Sequence, residues 1–242
     1  MISIPSNSTE CDSVKAISNY VMNWISKQSD VGEESLTDWL LCAISEKIQR
    51  VTYKAFTRHQ EANLTGADWE WWFLYPQKAY KLLVQAKKLR TSNYSYINRK
   101  TKKSGVRQID RLINYSKSHN FLPLYVFYTN NNNVNKCCKN STNTDGIIIT
   151  NSFYIDNLIK QRKNKSITEQ DILIASLPLS CFFCCNDANI DFSRFILPFA
   201  PSDNPKLGEY DRIPFYVQEI LREGNRDIPK DLKRIVIVDK RE

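Results

Sequence analysis

Four polar side chains in two consecutive predicted strands are the residues of this sequence best suited to chemistry. Asp68 and Glu70 alternate with tryptophans, and Gln85 and Lys87 alternate with apolar residues in the next segment. Successive side chains of a strand point to opposite faces, so each pair shares one face of its strand. If those faces coincide, a carboxylate, an amide oxygen and an ammonium group meet in one small volume.

Hydrolysis of a phosphodiester bond needs such a group of side chains. Carboxylate and other hard oxygens hold Mg²⁺, which polarises the phosphate and generates hydroxide from water. A lysine orients the attacking water and offsets negative charge in the transition state. The alternative is a half-exposed sheet face with solvated polar residues. The apolar setting of Gln85 and Lys87, directly after a tryptophan-rich strand, disfavours that alternative.

The elements around these residues predict one compact α/β unit. Helix, strand, strand, strand, helix and strand follow one another, and further helices and strands complete the chain. The predicted helices cover residues 14–26, 36–49, 106–118, 152–161 and 215–222, and the predicted strands cover 51–57, 67–74, 82–89, 122–128, 146–150 and 234–239. Ser35 or Thr37 is the expected cap of the second helix. An apolar run at 172–185 has no assigned element.

An aspartate, 16 intervening residues and then Gln-x-Lys resemble the Mrr-like branch of the PD-(D/E)XK nuclease superfamily, which has Gln in place of the usual second acid. The similarity covers about residues 34–128, and the motif Gly66-Ala67-Asp68-Trp69-Glu70-Trp71-Trp72 also resembles a bacterial family associated with antiphage defence. The resemblance implies a restriction-endonuclease-like core with a central mixed sheet flanked by helices. Residues 1–242 then form a single nuclease domain with a C-terminal α/β elaboration at about 146–242.

The same resemblance implies roles for individual residues. Asp68 and Gln85 are the expected ligands of Mg²⁺ or Mn²⁺, and Lys87 is the expected catalytic lysine. The superfamily often adds a glutamate from its first helix, for which Glu34 is the first candidate and Glu46 the second. Glu61 and Glu70 are further candidate metal ligands.

A basic stretch follows the Gln-x-Lys motif. From Lys87 to Arg107 the chain has eight basic residues and no acidic ones. Such a segment suits a phosphate backbone, with tyrosines stacking on bases. The alternative is a solvated loop. The candidate nucleic-acid-binding residues are Lys88, Arg90, Tyr94, Arg99, Lys100, Lys102, Lys103, Arg107 and Gln108.

Composition limits the remaining choices. The net charge of +8 and the pI of about 9.0 suit a polyanionic partner. No glycine-rich phosphate loop and no bilayer-spanning apolar run occurs. The N-terminus has no secretory signal pattern, so we expect a cytoplasmic protein without membrane attachment. Its seven cysteines are then expected to be reduced thiols, in the core rather than on zinc.

The favoured interpretation is a Mg²⁺- or Mn²⁺-dependent endonuclease acting on DNA in antiphage defence. The rival is a nucleic-acid-binding or partner-binding module that keeps the fold without cleavage, and a thiol–zinc interaction protein is a third alternative. RNA as substrate, a sensor or regulatory partner, and a homo-oligomer are left open by the sequence.

Overall fold

The computed structural model describes residues 8–56, 65–89, 97, 100, 105–131, 145–162, 167–184, 203–222, 229 and 233–241. The helices are α1 (Glu10–Lys27), α2 (Glu33–Lys47), α3 (Gln108–Ser118), α4 (Ser152–Arg162), α5 (Glu169–Leu173), α6 (Cys181–Cys184) and α7 (Phe215–Leu221). The strands are β1 (Val51–Ala55), β2 (Trp69–Leu74), β3 (Ala79–Lys88), β4 (Leu122–Tyr128), β5 (Ile147–Asn151), β6 (Ser176–Pro178), β7 (Glu209–Tyr210) and β8 (Arg234–Asp239).

The described strands form one eight-stranded sheet in the order β1-β8-β2-β3-β4-β5-β6, with β7 paired to β3. β2 runs antiparallel to β3 and parallel to β8, and β3 runs parallel to β4. The predicted α/β class, with a central mixed sheet flanked by helices, is confirmed. β8 lies between β1 and β2, so the C-terminal part of the chain contributes to the middle of the sheet as well as to its edge.

Helices cover both faces of the sheet. Trp69, Trp71 and Phe73 of β2 belong to a core shared with α1, α2 and α6. The opposite face packs against α3, α4 and α5 around β4 and against α7 around β2 and β8. Because both faces are covered, every residue of β2 and β4 is buried. The polar side chains of these covered strands must therefore find hydrogen-bond partners inside the protein.

The element boundaries agree with the sequence prediction where apolar patterns are continuous. The predicted bounds of β4 and β8 are those observed, and α4 differs by one residue. α2 begins at Glu33 with Gly32 as its N-cap, so the expected cap at Ser35 or Thr37 was wrong. The apolar run at 172–185 divides among the end of α5, β6 and α6.

The expectation of reduced cysteines was also wrong. A disulfide joins Cys11 of α1 to Cys184 of α6, at a sequence separation of 173 and with Cα atoms 4.5 Å apart. Sequence spacing gave no sign of this pair, which forms because α1 and α6 pack on the same face of the sheet. Cys42 is a free, exposed thiol. Among the residues that the structure describes, no helix is long and apolar enough to cross a membrane.

Gly66 lies where the chain entering β2 contacts α3, so a substitution at this position tests how closely the two elements pack. Its φ is +72°, and an added Cβ would lie 2.6 Å from the Gln108 carbonyl oxygen and 3.0 Å from the Leu112 nitrogen. We expect Gly66→Ala to lower the free energy of unfolding by about 3 kcal/mol or more, from left-handed strain and overpacking together. Urea unfolding followed by circular dichroism measures this change.

Gly105 provides the matched control for this substitution. Its φ is +67°, but no atom of the described residues, its chain neighbours aside, lies within 4 Å of an added Cβ. Gly105→Ala should therefore cost only the conformational strain, about 1 kcal/mol. Equal losses in the two variants would contradict the proposed close contact between Gly66 and α3.

Candidate active site

Asp68 and Gln85 face each other across two antiparallel strands. The β2–β3 register pairs Trp69 with Val84, and the Asp68 N–H continues that ladder by donating to the Val84 carbonyl at 2.8 Å. Asp68 Oδ2 accepts a hydrogen bond from Gln85 Nε2 and another from the Ala86 N–H at 2.8 Å. The two side chains thus share one face of the sheet, as the period-two alternation predicts.

A third polar side chain fixes Gln85 from above the sheet. Gln108, the first residue of α3, donates through Nε2 to Gln85 Oε1. Gln85 is 1% exposed, so this chain from Gln108 to Gln85 to Asp68 satisfies an amide that has no access to water. Gln108 therefore lines the site, although the sequence analysis counted it among the nucleic-acid-binding residues.

Lys87 meets a glutamate that the sequence analysis did not select. Its Nζ lies 3.0 Å from Glu33 Oε1, and Glu33 Oε2 accepts a hydrogen bond of 3.0 Å from the Lys88 N–H. Glu33 is the first residue of α2, at the end of the helix where a negative charge is stabilised. The side chain of Lys87 is only 11% exposed, so this ion pair lies largely within the fold.

The candidate metal ligands Glu34 and Glu70 are engaged by other side chains, although Glu70 lines the same pocket as Asp68. Glu34 forms an ion pair with Lys233 at 2.8 Å rather than with Lys87. Glu70 is buried and accepts hydrogen bonds from Trp72 Nε1 at 3.1 Å and from the Tyr216 hydroxyl at 2.7 Å. Glu61 lies outside the described residues.

The other first-helix candidate, Glu46, is exposed and accepts a hydrogen bond from Cys42 within α2. Of the α2 glutamates, Glu33 is therefore the one whose carboxylate contacts the Gln-x-Lys motif. The sequence offered one signal for it, the acidic pair Glu33-Glu34. Because the sequence predicted that this helix begins at residue 36 and not at Glu33, it did not indicate which member of that pair points toward β3.

Electrostatics around Asp68 combine burial with charges of both signs. Burial has the largest effect and raises the pKa of Asp68 above the usual aspartate value. The Lys87 ammonium and the Ala86 N–H act against it, the Glu33 carboxylate adds to it, and the Lys233 ammonium lowers the pKa. Asp68 is therefore a carboxylate whose charge is incompletely compensated by the protein alone.

Tyr125 extends the row of polar side chains to β4. It is the register partner of Gln85 in the parallel β3–β4 pair. The ring is fully buried and stacks on Phe127, and its hydroxyl makes no hydrogen bond with any described residue. Burial, followed by the Asp68 and Glu33 carboxylates, raises the pKa of this phenol far above its usual value, so it remains protonated.

Two of the candidate nucleic-acid-binding residues have structural partners instead. Lys88 is 5% exposed, and its Nζ donates to the carbonyl oxygens of Ser29 and Val31, so it holds the α1–α2 connection and was wrongly assigned to a phosphate. Arg107 pairs with Asp110 and Asp156 at the start of α3.

The remaining basic stretch is described only in part. Lys100 is exposed and forms an isolated bridge with Arg107. Lys100 is thus the candidate phosphate contact that the structure leaves at the surface. The other candidates lie outside the described residues: Arg90, Tyr94, Arg99, Lys102 and Lys103.

Asp68 can offer one carboxylate oxygen to a hard divalent cation. Oδ2 accepts both hydrogen bonds that the described residues make to this carboxylate, Oδ1 accepts none from them, and the charge of Glu33 raises the pKa of Asp68. Gln85 turns its nitrogen to Asp68, so its oxygen becomes a ligand only when Gln108 releases it. Within the described ranges, no group of three or more acidic, His or Cys side chains is placed to hold a metal. A cation here would keep several waters, as Mg²⁺ does.

Comparison with known proteins gives a family but no activity. A profile described as "Family of unknown function (DUF6615)" matches residues 10–242. No curated protein matches the sequence. The chemistry of the site must therefore be inferred from the residues themselves.

The raised pKa of Asp68 predicts a specific dependence of stability on pH. Between the ordinary aspartate pKa and the raised value, the folded protein binds a proton that the unfolded chain has lost, so wild-type stability should fall as the pH rises through that window. Asp68→Asn removes the charge, and we expect this variant to be more stable than wild type above the window and similar to it below. Urea unfolding in EDTA across the acidic and neutral range measures the difference.

Asp38 supplies a control of opposite sign. Burial alone would raise its pKa, but the hydrogen bond and charge of Arg234, with Tyr53 and Lys233, lower the pKa overall. Asp38→Asn should therefore reduce stability at neutral pH, with the loss vanishing as the pH falls through the lowered pKa. An Asp68→Asn variant that is less stable than wild type at every pH would contradict the electrostatic account of the site.

Proposed function

This chain belongs to DUF6615, a family of unknown function, and we propose from its own side chains that it is a Mg²⁺- or Mn²⁺-dependent endonuclease that hydrolyses phosphodiester bonds of DNA. The observation that carries the proposal is the convergence of Asp68, Gln85 and Lys87 on one face of two neighbouring strands, with Glu33 against Lys87. A carboxylate, an amide and a nearly buried ammonium match the needs of metal-assisted phosphodiester hydrolysis.

The cation would be held through Asp68 Oδ1, with Glu33 or waters completing its shell. When bound, it supplies Lewis-acid polarisation of the phosphate and lowers the pKa of water. Gln85 and the Ala86 N–H fix the orientation of Asp68 by hydrogen-bonding Oδ2. The lone pairs of Oδ1 thus have a defined direction before any ligand arrives, which reduces the reorganisation required on binding.

Lys87 acts on the water and on the developing charge. Its ammonium group donates to the oxygen of the attacking water and to a non-bridging phosphate oxygen, and so stabilises the negative charge that develops on the phosphoryl oxygens. The proton of the water passes to bulk solvent as the bond from phosphorus to the leaving oxygen breaks, and that oxygen takes a proton from solvent. Glu33 holds the ammonium toward the site by an ion pair of 3.0 Å. The Glu33 carboxylate also accepts the Lys88 N–H, so its position is fixed by the end of β3 rather than by a flexible side chain alone.

The biological setting rests on the resemblance to the bacterial family with the Gly66–Trp72 motif. We propose a cytoplasmic role in antiphage defence, with DNA as substrate. The exposed Lys100 and the net charge of +8 support a polyanionic substrate. A binding module without cleavage is the alternative outcome of the experiment below.

Lys87→Ala should abolish cleavage while leaving the fold intact. The Lys87 ammonium pairs with Glu33, and its loss removes the transition-state stabilisation that this group supplies; because the side chain is only 11% exposed, circular dichroism must show that the variant is folded. We expect a loss of at least about a hundredfold, the scale typical of a single group that stabilises transition-state charge. Supercoiled plasmid and a structured RNA are incubated with Mg²⁺, Mn²⁺ or EDTA, and products are resolved on gels.

Lys78→Ala is the matched control, since Lys78 precedes β3 at the opposite end of that strand and pairs with Glu209 at 3.6 Å. It should cut as wild type does. Wild-type protein that binds DNA but cuts neither substrate with either metal would favour the non-cleaving binding module.

Glu33 and Glu34 form a matched pair for the metal. Glu33→Gln should weaken Mn²⁺ binding about tenfold or more, because a carboxylate beside Asp68 becomes neutral, and Asp68→Ala should remove tight binding. Glu34→Gln should retain the wild-type affinity, because its carboxylate pairs with Lys233 instead. Isothermal titration calorimetry of metal into the metal-free protein measures all three variants. If Glu34→Gln lowers the affinity and Glu33→Gln does not, the assignment of the second carboxylate is reversed.

A further inference from the structure

β8 brings a second lysine to Asp68 from the far end of the sequence. The parallel β2–β8 register pairs Glu70 with Ile235, and two positions earlier on each strand lie Asp68 and Lys233. The Phe56 N–H donates to the Lys233 carbonyl at 3.0 Å and continues the β1–β8 ladder, so the backbone there is fixed. Lys233 and Gln85 consequently flank Asp68 on the two neighbouring strands.

The side chain of Lys233 lines the same pocket as Asp68. Thr65, Glu70 and Leu83 contribute to the same walls. The ammonium lies 2.8 Å from Glu34 Oε1, yet the lysine side chain is 16% exposed whereas the glutamate side chain is 56% exposed. The Lys233 side chain is thus largely buried where it lines the pocket with Asp68, and its carboxylate partner faces solvent.

We propose that Lys233 is a phosphate-binding residue, which takes a non-bridging oxygen of the substrate backbone in the place where the Glu34 carboxylate lies in the ligand-free protein. This inference rests on the proposed nuclease function and assigns a substrate contact to the C-terminal strand. A phosphodiester oxygen and a carboxylate oxygen offer the same charge-assisted hydrogen bond to an ammonium group. Exchange of one for the other therefore needs movement of the exposed Glu34 side chain away from Lys233.

A purely structural ion pair accounts less well for this geometry. The next residue, Arg234, already joins β8 to α2 through Asp38 at 2.5 Å, and Arg234 is 4% exposed. An ion pair with a partner as exposed as Glu34 adds about 1 kcal/mol at most. Holding β8 against α2 thus does not require Lys233, whereas a polyanion approaching the Asp68 carboxylate needs a positive charge on each side of it. Lys87 supplies that charge on one side and Lys233 on the other.

The experiment measures DNA binding without turnover. Fluorescence anisotropy of a labelled duplex oligonucleotide is recorded in EDTA at several salt concentrations, for wild type, Lys233→Ala, Glu34→Gln and the Lys78→Ala control. We expect Lys233→Ala to weaken binding about tenfold, the usual effect of one charge-assisted hydrogen bond. Its salt slope should fall by about 0.9, the value for one phosphate contact on duplex DNA.

Glu34→Gln should tighten binding, because the competing internal carboxylate is gone, and Lys78→Ala should leave affinity within about twofold of wild type. Opposite signs for the two pocket variants distinguish phosphate binding from a structural role. If both variants lose thermal stability while binding DNA as wild type does, or if both weaken binding equally, the proposal is overturned.

Failure of the proposed function gives a different result. Wild-type protein that binds the duplex, loses affinity in Lys233→Ala and never cleaves would retain Lys233 as a phosphate ligand in a non-cleaving protein. If Lys87→Ala abolishes cleavage but Lys233→Ala binds DNA as wild type does, this inference alone is overturned. Wild-type protein that binds neither duplex nor RNA would overturn both.

Discussion

The antiparallel register of β2 and β3, inside a sheet covered on both faces, is the constraint on which the site depends. It sets Asp68 opposite Gln85, whose buried amide must be held by other polar groups because bulk water does not reach it. Asp68 and Gln108 meet that need, and the Ala86 N–H in turn donates to Asp68. A shift of the β2–β3 register by one residue would turn these side chains into the core formed with α1 and α2. It would also move Trp69 and Trp71 to the opposite face, which α3 and α7 cover. The register that buries the apolar side chains of these two strands is thus also the register that places Asp68 beside Gln85.

The sequence determines the local part of this arrangement. Alternation in β3 predicts that Gln85 and Lys87 share a face, and continuous apolar runs define β4 and β8 to the residue. The start of α2 is different, because Ser35 and Thr37 are good caps and Gly32 is a weaker one, yet the helix begins at Glu33. That difference of a few residues decides which glutamate meets Lys87. Helix ends are set by the contacts of the first turn, which a single-sequence pattern does not contain.

Long-range pairings are the part that sequence patterns do not reach. Lys233 joins the site because β8 pairs in parallel with β2, and Cys184 meets Cys11 because α6 packs beside α1. Neither contact has a local signature, since the free energy that favours each comes from the whole sheet and its covering helices. The same holds for Tyr125, whose place beside Gln85 follows from the parallel pairing of β3 and β4 and not from its neighbours in β4.

The position of β8 between β1 and β2 also determines when the sheet can close during synthesis. β1 and β2 are near each other along the chain, but β8 separates them in the sheet and is the last described strand to be synthesised. While a ribosome is still translating the preceding residues, the gap between β1 and β2 remains open, and contacts of such large sequence separation form slowly. Asp68 and Lys87 can then be present in a nascent chain without a closed sheet to hold them. Translation order itself would delay closure of the sheet around Asp68 until β8 has been made.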